Sequence, residues 1–216
     1  MRTYSFDDFK KTFDEKMLEF GRVISAFHWE EKESYAKWCA HTYYYVRHST
    51  RLLAYGAARA DLDQPTVHRR FVEHLGEEKG HEKLVLADMK QLGVLLADYR
   101  EMPETSLFYQ NQYYWLMSHG PIPFFGWILA LEGAAAHTSK AVYERVKKAH
   151  GASAAVFLKL HSEEDEGHLE KALESVKGFS ANELQQTTKN FEQSCELYFS
   201  ALRRINSEST RELKTA

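Results

Sequence analysis

The amino-acid sequence predicts an all-α fold, a single bundle of seven helices with short connections. Apolar residues recur with helical spacing along nearly the whole chain, and no segment shows the alternation typical of a β-strand. The 216 residues include 4 proline and 11 glycine residues, which favours long helices over a turn-rich β fold. We therefore expect one helical domain over residues 1–206 and a flexible tail over residues 207–216.

Three helices are predicted for the N-terminal half of the chain. Ser5 is the predicted cap of the first helix. Its apolar stripe consists of Phe6, Phe9, Phe13, Met17 and Phe20. The second helix is predicted over residues 34–59, before the break Asp-Leu-Asp-Gln-Pro. The third begins at Pro65, continues through Leu92 and stops at Gly93.

Four more helices are predicted for the C-terminal half. The fourth covers residues 105–118, and the sequence His-Gly-Pro-Ile-Pro ends it. The fifth covers residues 124–150 and the sixth residues 153–176, and a glycine follows each of them closely. The seventh covers residues 180–206 and begins at a serine cap.

Charge and composition argue against several classes of function. A net charge of −3 gives no reason to expect nucleic acid or an anionic membrane as a partner. No apolar run approaches the roughly 18 residues of a membrane span. The N-terminal sequence lacks the apolar core of a signal peptide, so we expect a cytoplasmic protein. The two cysteines, Cys39 and Cys195, favour neither a disulfide framework nor a thiolate metal site.

The sixth predicted helix carries the most informative motif, His161, Asp165 and His168. At about 100° per residue, Asp165 lies roughly 40° and His168 about 20° from His161 around the helix axis, so all three point the same way. Two imidazoles and a carboxylate on one face suit a transition metal such as iron. The alternative is a polar stripe on a solvated helix face, because three more glutamates lie in the same segment.

Two other helices offer further candidate ligands. Glu78 and His81 are three residues apart on the third predicted helix. Glu132 lies in an apolar stretch of the fifth helix, where a carboxylate must be paired, protonated or bound to a metal. The small residues 133–136 that follow it let neighbouring helices approach closely. A structural ion pair with an arginine or lysine would also explain Glu132, and exposed polar positions would explain Glu78 and His81.

The order of these motifs resembles that of the haem-oxygenase-like di-iron oxidases and oxygenases. Glu-x2-His, a lone Glu and His-x3-Asp-x2-His follow one another in this sequence as in that family. The fold of the family is the seven-helix haem-oxygenase-like bundle, which thiaminase-II-like proteins and pyrroloquinoline-quinone synthase share. A four-helix ferritin-like centre is not favoured, because the second helix has no carboxylate after Glu33 until the loop that follows it.

The resemblance implies a non-haem, O2-activating oxidase or oxygenase with two Fe(II) ions and O2 as co-substrate. The metal ligands that it implies are Glu78, His81, Glu132, His161, Asp165 and His168. The implied substrate is a small organic molecule such as a fatty acid, an amino acid or an amine. A homodimer and an external electron donor also follow from the resemblance.

The first half of the centre departs from part of the family. Several members carry Glu and His seven residues apart on this helix, whereas His74 stands seven residues before His81 here. His74 and Glu77 are therefore candidates for additional ligands or for residues that support the ligands. His48 is a further candidate, because it shares one face of the second helix with His41. The closer spacing of Glu78 and His81 resembles the fatty-acid decarboxylase branch.

Aromatic and basic residues suggest a substrate pocket, with core packing as the alternative explanation. The candidates are Tyr45, Arg51, Tyr113 and Phe125. Arg51 would bind a substrate carboxylate by a forked contact. Two other functions remain open: a metal-free oxidase or cofactor-binding enzyme of the same fold, like pyrroloquinoline-quinone synthase, and a non-enzymatic helical interaction module. Haem degradation is not favoured, because His28 is the sole early histidine and no glycine-rich helix follows.

Overall fold

The computed structural model describes residues 3–215, except for the side chains of residues 164–166 and 209–215. Over this range the chain forms eight α-helices, three short 3-10 turns and no strand. The helices are α1 Phe6–Ser25, α2 Lys32–Arg59, α3 Pro65–Glu77, α4 His81–Gln91, α5 Pro103–His119, α6 Phe125–His150, α7 Val156–Lys177 and α8 Ala181–Thr215. The all-α prediction is confirmed, but the predicted count of seven helices is wrong for the described part of the chain.

The extra helix arises because the third predicted helix is divided at Gly80. The backbone there has φ +95°, in the left-handed region that ends a helix and that glycine adopts without steric cost. α3 therefore stops at Glu77 and α4 starts at His81. Apolar periodicity continues across the turn, so the sequence pattern did not show the break.

The C-terminal helix is longer than predicted. α8 continues to Thr215, past residue 206 where the sequence predicted its end. The flexibility proposed for residues 207–216 stays a prediction. No helix that the structure describes combines the length and the apolar character needed to cross a membrane.

α1 begins as predicted and packs along α8. Ser5 and Asp8 form a capping box, in which each residue accepts a hydrogen bond from the backbone N–H of the other. The predicted phenylalanine stripe is buried against aromatic residues of α8. The ring centroids of Phe20 and Phe199 are 4.5 Å apart, and those of Phe13 and Phe191 are 5.5 Å apart.

α6 occupies the centre of the bundle and packs against α1, α7 and α8. Glycine permits two of these close approaches. A Cβ at Gly126 would lie 2.4 Å from the backbone oxygen of Thr187 on α8. A Cβ at Gly133 would lie 2.8 Å from Met17 Sδ and 2.9 Å from the ring of Phe13 on α1. The second approach fixes α6 at the residue next to Glu132.

Asp88 links α4 to the start of α7. Its fully buried carboxylate accepts hydrogen bonds from the backbone N–H groups of Val156, at 2.8 Å, and Phe157, at 3.0 Å. These are first-turn donors of α7 that have no partner within their own helix. A side chain remote in sequence thus caps the helix that carries His161 and His168.

Candidate metal centre

Four helices bring six of the candidate side chains into one row, in which five are buried and His161 is half-buried. In the row, imidazoles and carboxylates alternate. Its order is His168, Glu132, His74, Glu78 and His81, with His161 beside the last imidazole. Asp165, also a predicted ligand, lies among the residues whose side chains the structure does not describe.

Glu132 of α6 lies between two imidazoles. Its Oε1 is 3.0 Å from Nε2 of His74 on α3, and its Oε2 is 3.6 Å from Nδ1 of His168 on α7. The two imidazole ring centroids are 5.7 Å apart. Glu132 is 5% exposed, so both of its oxygens interact inside the protein rather than with bulk water.

Glu78, in the turn after α3, also lies between two imidazoles, those of His74 and His81. Its Oε1 is 3.7 Å from Nε2 of His74, and its Oε2 is 3.5 Å from Nδ1 of His81. The ring of His81 meets that of His161 edge to face, with 5.1 Å between centroids. Phe157 packs on the other side of His161 at 4.3 Å. His74 is therefore the central residue, since both carboxylates face its Nε2.

Burial and mutual attraction shift the protonation of this row. Burial alone would lower the pKa of His74, but the carboxylates of Glu132 and Glu78 outweigh it and raise the pKa to about 9. Burial opposes ionisation of Glu78, yet His74 and His81 hold its pKa well below the usual range. Glu132 likewise has a lowered pKa, because His168 and His74 overcome the effect of burial. The neighbouring imidazoles therefore favour the ionised form of both carboxylates.

Glu77 is held at the edge of the row by two cations. Lys171 Nζ is 2.7 Å from its Oε1, and Arg70 donates to its Oε2 at 3.1 Å. His168 Nε2 is 3.6 Å from the same Oε2. Burial would raise the pKa of Glu77, but the two cations and His168 lower it to about 2. Glu77 thus connects the row to an ion-pair network at the protein surface.

A cavity of about 100 Å³ adjoins one side of the row. His74, Glu78, Glu132 and His161 line that side of it. The other walls are mostly apolar and come from α1, α2, α6, α7, α8 and the connection between α1 and α2. The large side chains among them are Trp29, Trp38, Tyr45, Trp127, Phe157 and Tyr198.

Comparison with known proteins identifies the family. A family model described as iron-containing redox enzyme matches residues 36–199, a segment that contains the whole row. The chain belongs to this family. No curated protein matches the sequence.

Comparison with solved structures shows that the chain has a haem-oxygenase-like fold. A domain of unknown function with a heme oxygenase-like fold from Shewanella denitrificans superposes with a TM-score of 0.83 and 18% identity, covering 96% of this chain and 95% of the other. A TenA homologue from Pseudomonas syringae gives 0.77 and 15%, covering 91% of each chain. A CADD-like protein of unknown function from Nostoc punctiforme gives 0.73 and 16%, covering 94% and 97%.

The donor set of the row fits the iron that the family description implies. One ligand atom each from His74, Glu78 and Glu132 lie within 4.8 Å of one another, and so do atoms from His74, Glu77 and His168. Neither ring nitrogen of His74 makes a hydrogen bond with a described residue, although both are buried. The 3.0 Å approach of its Nε2 to Glu132 thus lacks hydrogen-bond alignment. A buried imidazole facing two carboxylates in this way has the composition of a transition-metal site.

Four of the residues predicted to support the ligands or to line a substrate pocket lie away from both the row and the cavity. His48 stacks on Tyr109 at 3.9 Å, and its Nδ1 is 3.0 Å from the hydroxyl of Tyr113, because this face of α2 packs on α5. Arg51 is exposed beside Arg47. Phe125 is fully buried against Phe71 and Phe179, in the core. Of the four predicted pocket residues, Tyr45 lines the cavity.

The importance of His74 was underestimated from the sequence. His74 and Glu78 are four residues apart, a spacing that places both on one helix face, and this signal was available. Arg70 lies seven residues before Glu77 on α3, a spacing that also places both on one helix face. Lys171 had no comparable signal, since it is an ordinary charged residue of α7, a helix remote in sequence.

Proposed function

We propose that this chain is a non-haem di-iron oxidase or oxygenase that uses O2 to oxidise a small organic molecule held in the cavity beside the row. The observation that carries the proposal is the row of four imidazoles and two largely buried carboxylates beside a mostly apolar cavity. Membership of the iron-containing redox enzyme family supports the choice of iron.

The residues of the row divide naturally into two sets. His168 and Glu132 would hold one ion, while Glu78, His81 and His161 would hold the other, with His74 between them. Asp165, whose side chain lies outside the described residues, stays a predicted ligand. Bound iron would supply the redox chemistry with O2 that no protein side chain provides.

The surrounding protein has two roles in this proposal. The ion pairs of Glu77 with Arg70 and Lys171 hold the His168 end of the row in place. The aromatic walls of the cavity exclude water from a substrate next to the row. An external electron donor and a homodimer complete the proposal as predictions.

The test is iron uptake after anaerobic reconstitution with Fe(II), followed by measurement of O2 consumption. We expect close to two equivalents of iron per chain, a loss of at least one equivalent in His74→Ala and Glu132→Gln, and O2 uptake that depends on iron. His48→Ala is the matched control, because His48 lies on α2 against Tyr109 and should leave iron content unchanged.

Two outcomes would reject the proposal. Iron at well under one equivalent with no O2 consumption would favour the metal-free enzyme or the interaction module. Iron uptake that is unchanged in both His74→Ala and Glu132→Gln would mean that the metal lies elsewhere.

A further inference from the structure

The carboxylates and imidazoles that line the cavity all belong to the row. Among the described lining residues these are His74, Glu78, Glu132 and His161, and no lysine, arginine or aspartate lines the cavity. Two hydroxyls among the other lining residues are already hydrogen-bonded. Thr138 and Ser139 each donate to a backbone carbonyl of α6, at 2.6 Å in both cases.

This distribution of polar groups selects the chemistry of a ligand. A molecule with a charged group at its far end would place that charge against tryptophan and aliphatic side chains, where it has no partner of opposite charge. Amino acids and diamines carry such charges. An uncharged apolar body would instead replace water along the whole wall.

A second, smaller cavity lies behind part of this wall. It measures about 20 Å³, and His41 and Thr105 are among its lining residues. Three side chains line both cavities: Trp38, Tyr45 and Tyr198. Trp38 Nε1 donates to the Tyr198 hydroxyl at 3.3 Å, and the ring of Tyr45 meets that of Tyr198 edge to face at 6.4 Å. We call these three side chains the partition.

The volumes of the two cavities indicate what the partition does to a bound molecule. An engineered apolar cavity of about 150 Å³ holds one benzene molecule, so about 100 Å³ suits a body of similar or smaller size. The smaller cavity has room for about one water molecule. Removing part of the partition would therefore join the two spaces and admit a longer molecule.

We propose that the substrate has an uncharged, apolar body that lies in the larger cavity and that the partition of Trp38, Tyr45 and Tyr198 limits its length. The inference rests on the proposed function, because it takes this cavity as the substrate site. Tyr198 is then a specificity-determining residue: it lines the larger cavity and separates a substrate there from the space around His41.

The experiment measures binding of linear alcohols, from 1-butanol to 1-decanol, by calorimetry and by the emission of the tryptophans that line the cavity. Metal-free and Fe(II)-loaded protein are both titrated, so that cavity binding is tested whether or not iron is taken up. We expect affinity to rise about fourfold per methylene until the cavity is full, and then to level off. Binding of 6-aminohexanoate and 1,6-diaminohexane should be at least 30-fold weaker than that of 1-hexanol.

Variants test the partition directly. Tyr198→Ala should move the levelling-off to longer alcohols, whereas Tyr198→Phe, which retains the ring, should leave it in place. Ala134→Leu, which fills part of the larger cavity, should weaken every alcohol at least tenfold. Tyr143→Ala, on the same helix but outside the lining, is the matched control and should resemble wild type.

Three results would overturn the inference. Equal affinity for 1-hexanol and the doubly charged probes would reject the apolar body. An unchanged length limit in folded Tyr198→Ala would reject the partition. Full alcohol binding in folded Ala134→Leu would place the ligand outside the cavity. Alcohol binding with the expected length limit in a protein that takes up no iron would refute the proposed function and leave the properties of the cavity standing.

Discussion

Replacing Gly126 by alanine tests the packing that positions α6 against α8. The added Cβ would lie 2.4 Å from the backbone oxygen of Thr187 and 2.5 Å from the backbone nitrogen of Phe191. Both atoms belong to the backbone of α8, so a change of side-chain rotamer cannot relieve either contact. One helix must move away from the other.

The size of this effect follows from the distances. Ordinary contact with a Cβ begins near 3.4 Å, so α6 and α8 must separate locally by about 1 Å. Overpacking of a core costs about 1–3 kcal/mol, and a backbone clash belongs at the upper end of that range. Alanine recovers about 1 kcal/mol through its higher helix propensity. The free energy of unfolding should therefore fall by about 2 kcal/mol, which lowers Tm by about 4–8 °C for a chain of this size.

Gly21→Ala is the matched control. Gly21 lies within α1, and a Cβ there meets nothing within 4 Å. Helix propensity then acts alone, and Tm should rise by about 1–4 °C. Thermal and urea denaturation followed by circular dichroism, on metal-free protein, compares the two variants. A rise in Tm for Gly126→Ala similar to that for Gly21→Ala would refute the close approach of α6 and α8.

Three further predictions concern buried polar groups and the metal. Gln112 accepts a hydrogen bond from Asn190 at 2.8 Å and donates one to Ser194 at 3.2 Å, and all three residues are fully buried. Gln112→Leu should therefore lower the free energy of unfolding, measured by urea denaturation, by about 1–3 kcal/mol. Gln110→Leu, at an exposed position, is the control and should change it little. Burial raises the pKa of Asp88 to about 6, so the folded protein binds this proton more tightly than the unfolded chain does. The free energy of unfolding of wild type, measured relative to that of Asp88→Asn, should be highest below about pH 4 and should fall by up to about 3 kcal/mol as the pH rises through 6. Parallel pH profiles of the unfolding free energy for the two proteins would contradict this. Removing iron with a chelator should lower Tm by about 5–10 °C if iron is present at about 100 times its Kd, and the decrease should be smaller in His74→Ala, which binds less iron.

Periodicity and capping residues were sufficient to predict most of the fold. Ser5 caps α1 as its sequence indicates, and the phenylalanine stripe of α1 is buried as its spacing requires. The sequence did not predict the turn at Gly80, because a glycine is tolerated inside many helices and the apolar pattern continues beyond it. The cap that Asp88 provides for α7 depends on a contact between residues 68 positions apart, and local sequence contains no record of it.

The candidate centre could be predicted to the extent that residue type and helix face determine it. Glu132 stood out because a carboxylate in an apolar helix requires a partner. The sequence did not reveal which imidazole lies between the two carboxylates, because that depends on how α3, α6 and α7 pack. Arg51 and Phe125 show the same limit: each has suitable chemistry for a substrate pocket, but the packing of their helices directs them elsewhere.

The turn at Gly80 places neighbouring residues of the candidate centre on two different helices. His74 lies in the last turn of α3 and Glu78 directly follows that helix, which packs on α2 as α4 does. His81 begins α4, and Asp88 of the same helix is hydrogen-bonded to the first turn of α7, so His81 and His161 are carried by helices that are joined to each other. A change of backbone angle at this one glycine would alter the spacing between Glu78 and His81, but the contacts that α3 and α4 both make with α2 oppose such a change. The distance between the Glu78 carboxylate and the His81 imidazole is thus set jointly by one turn and by the packing of two short helices on a third.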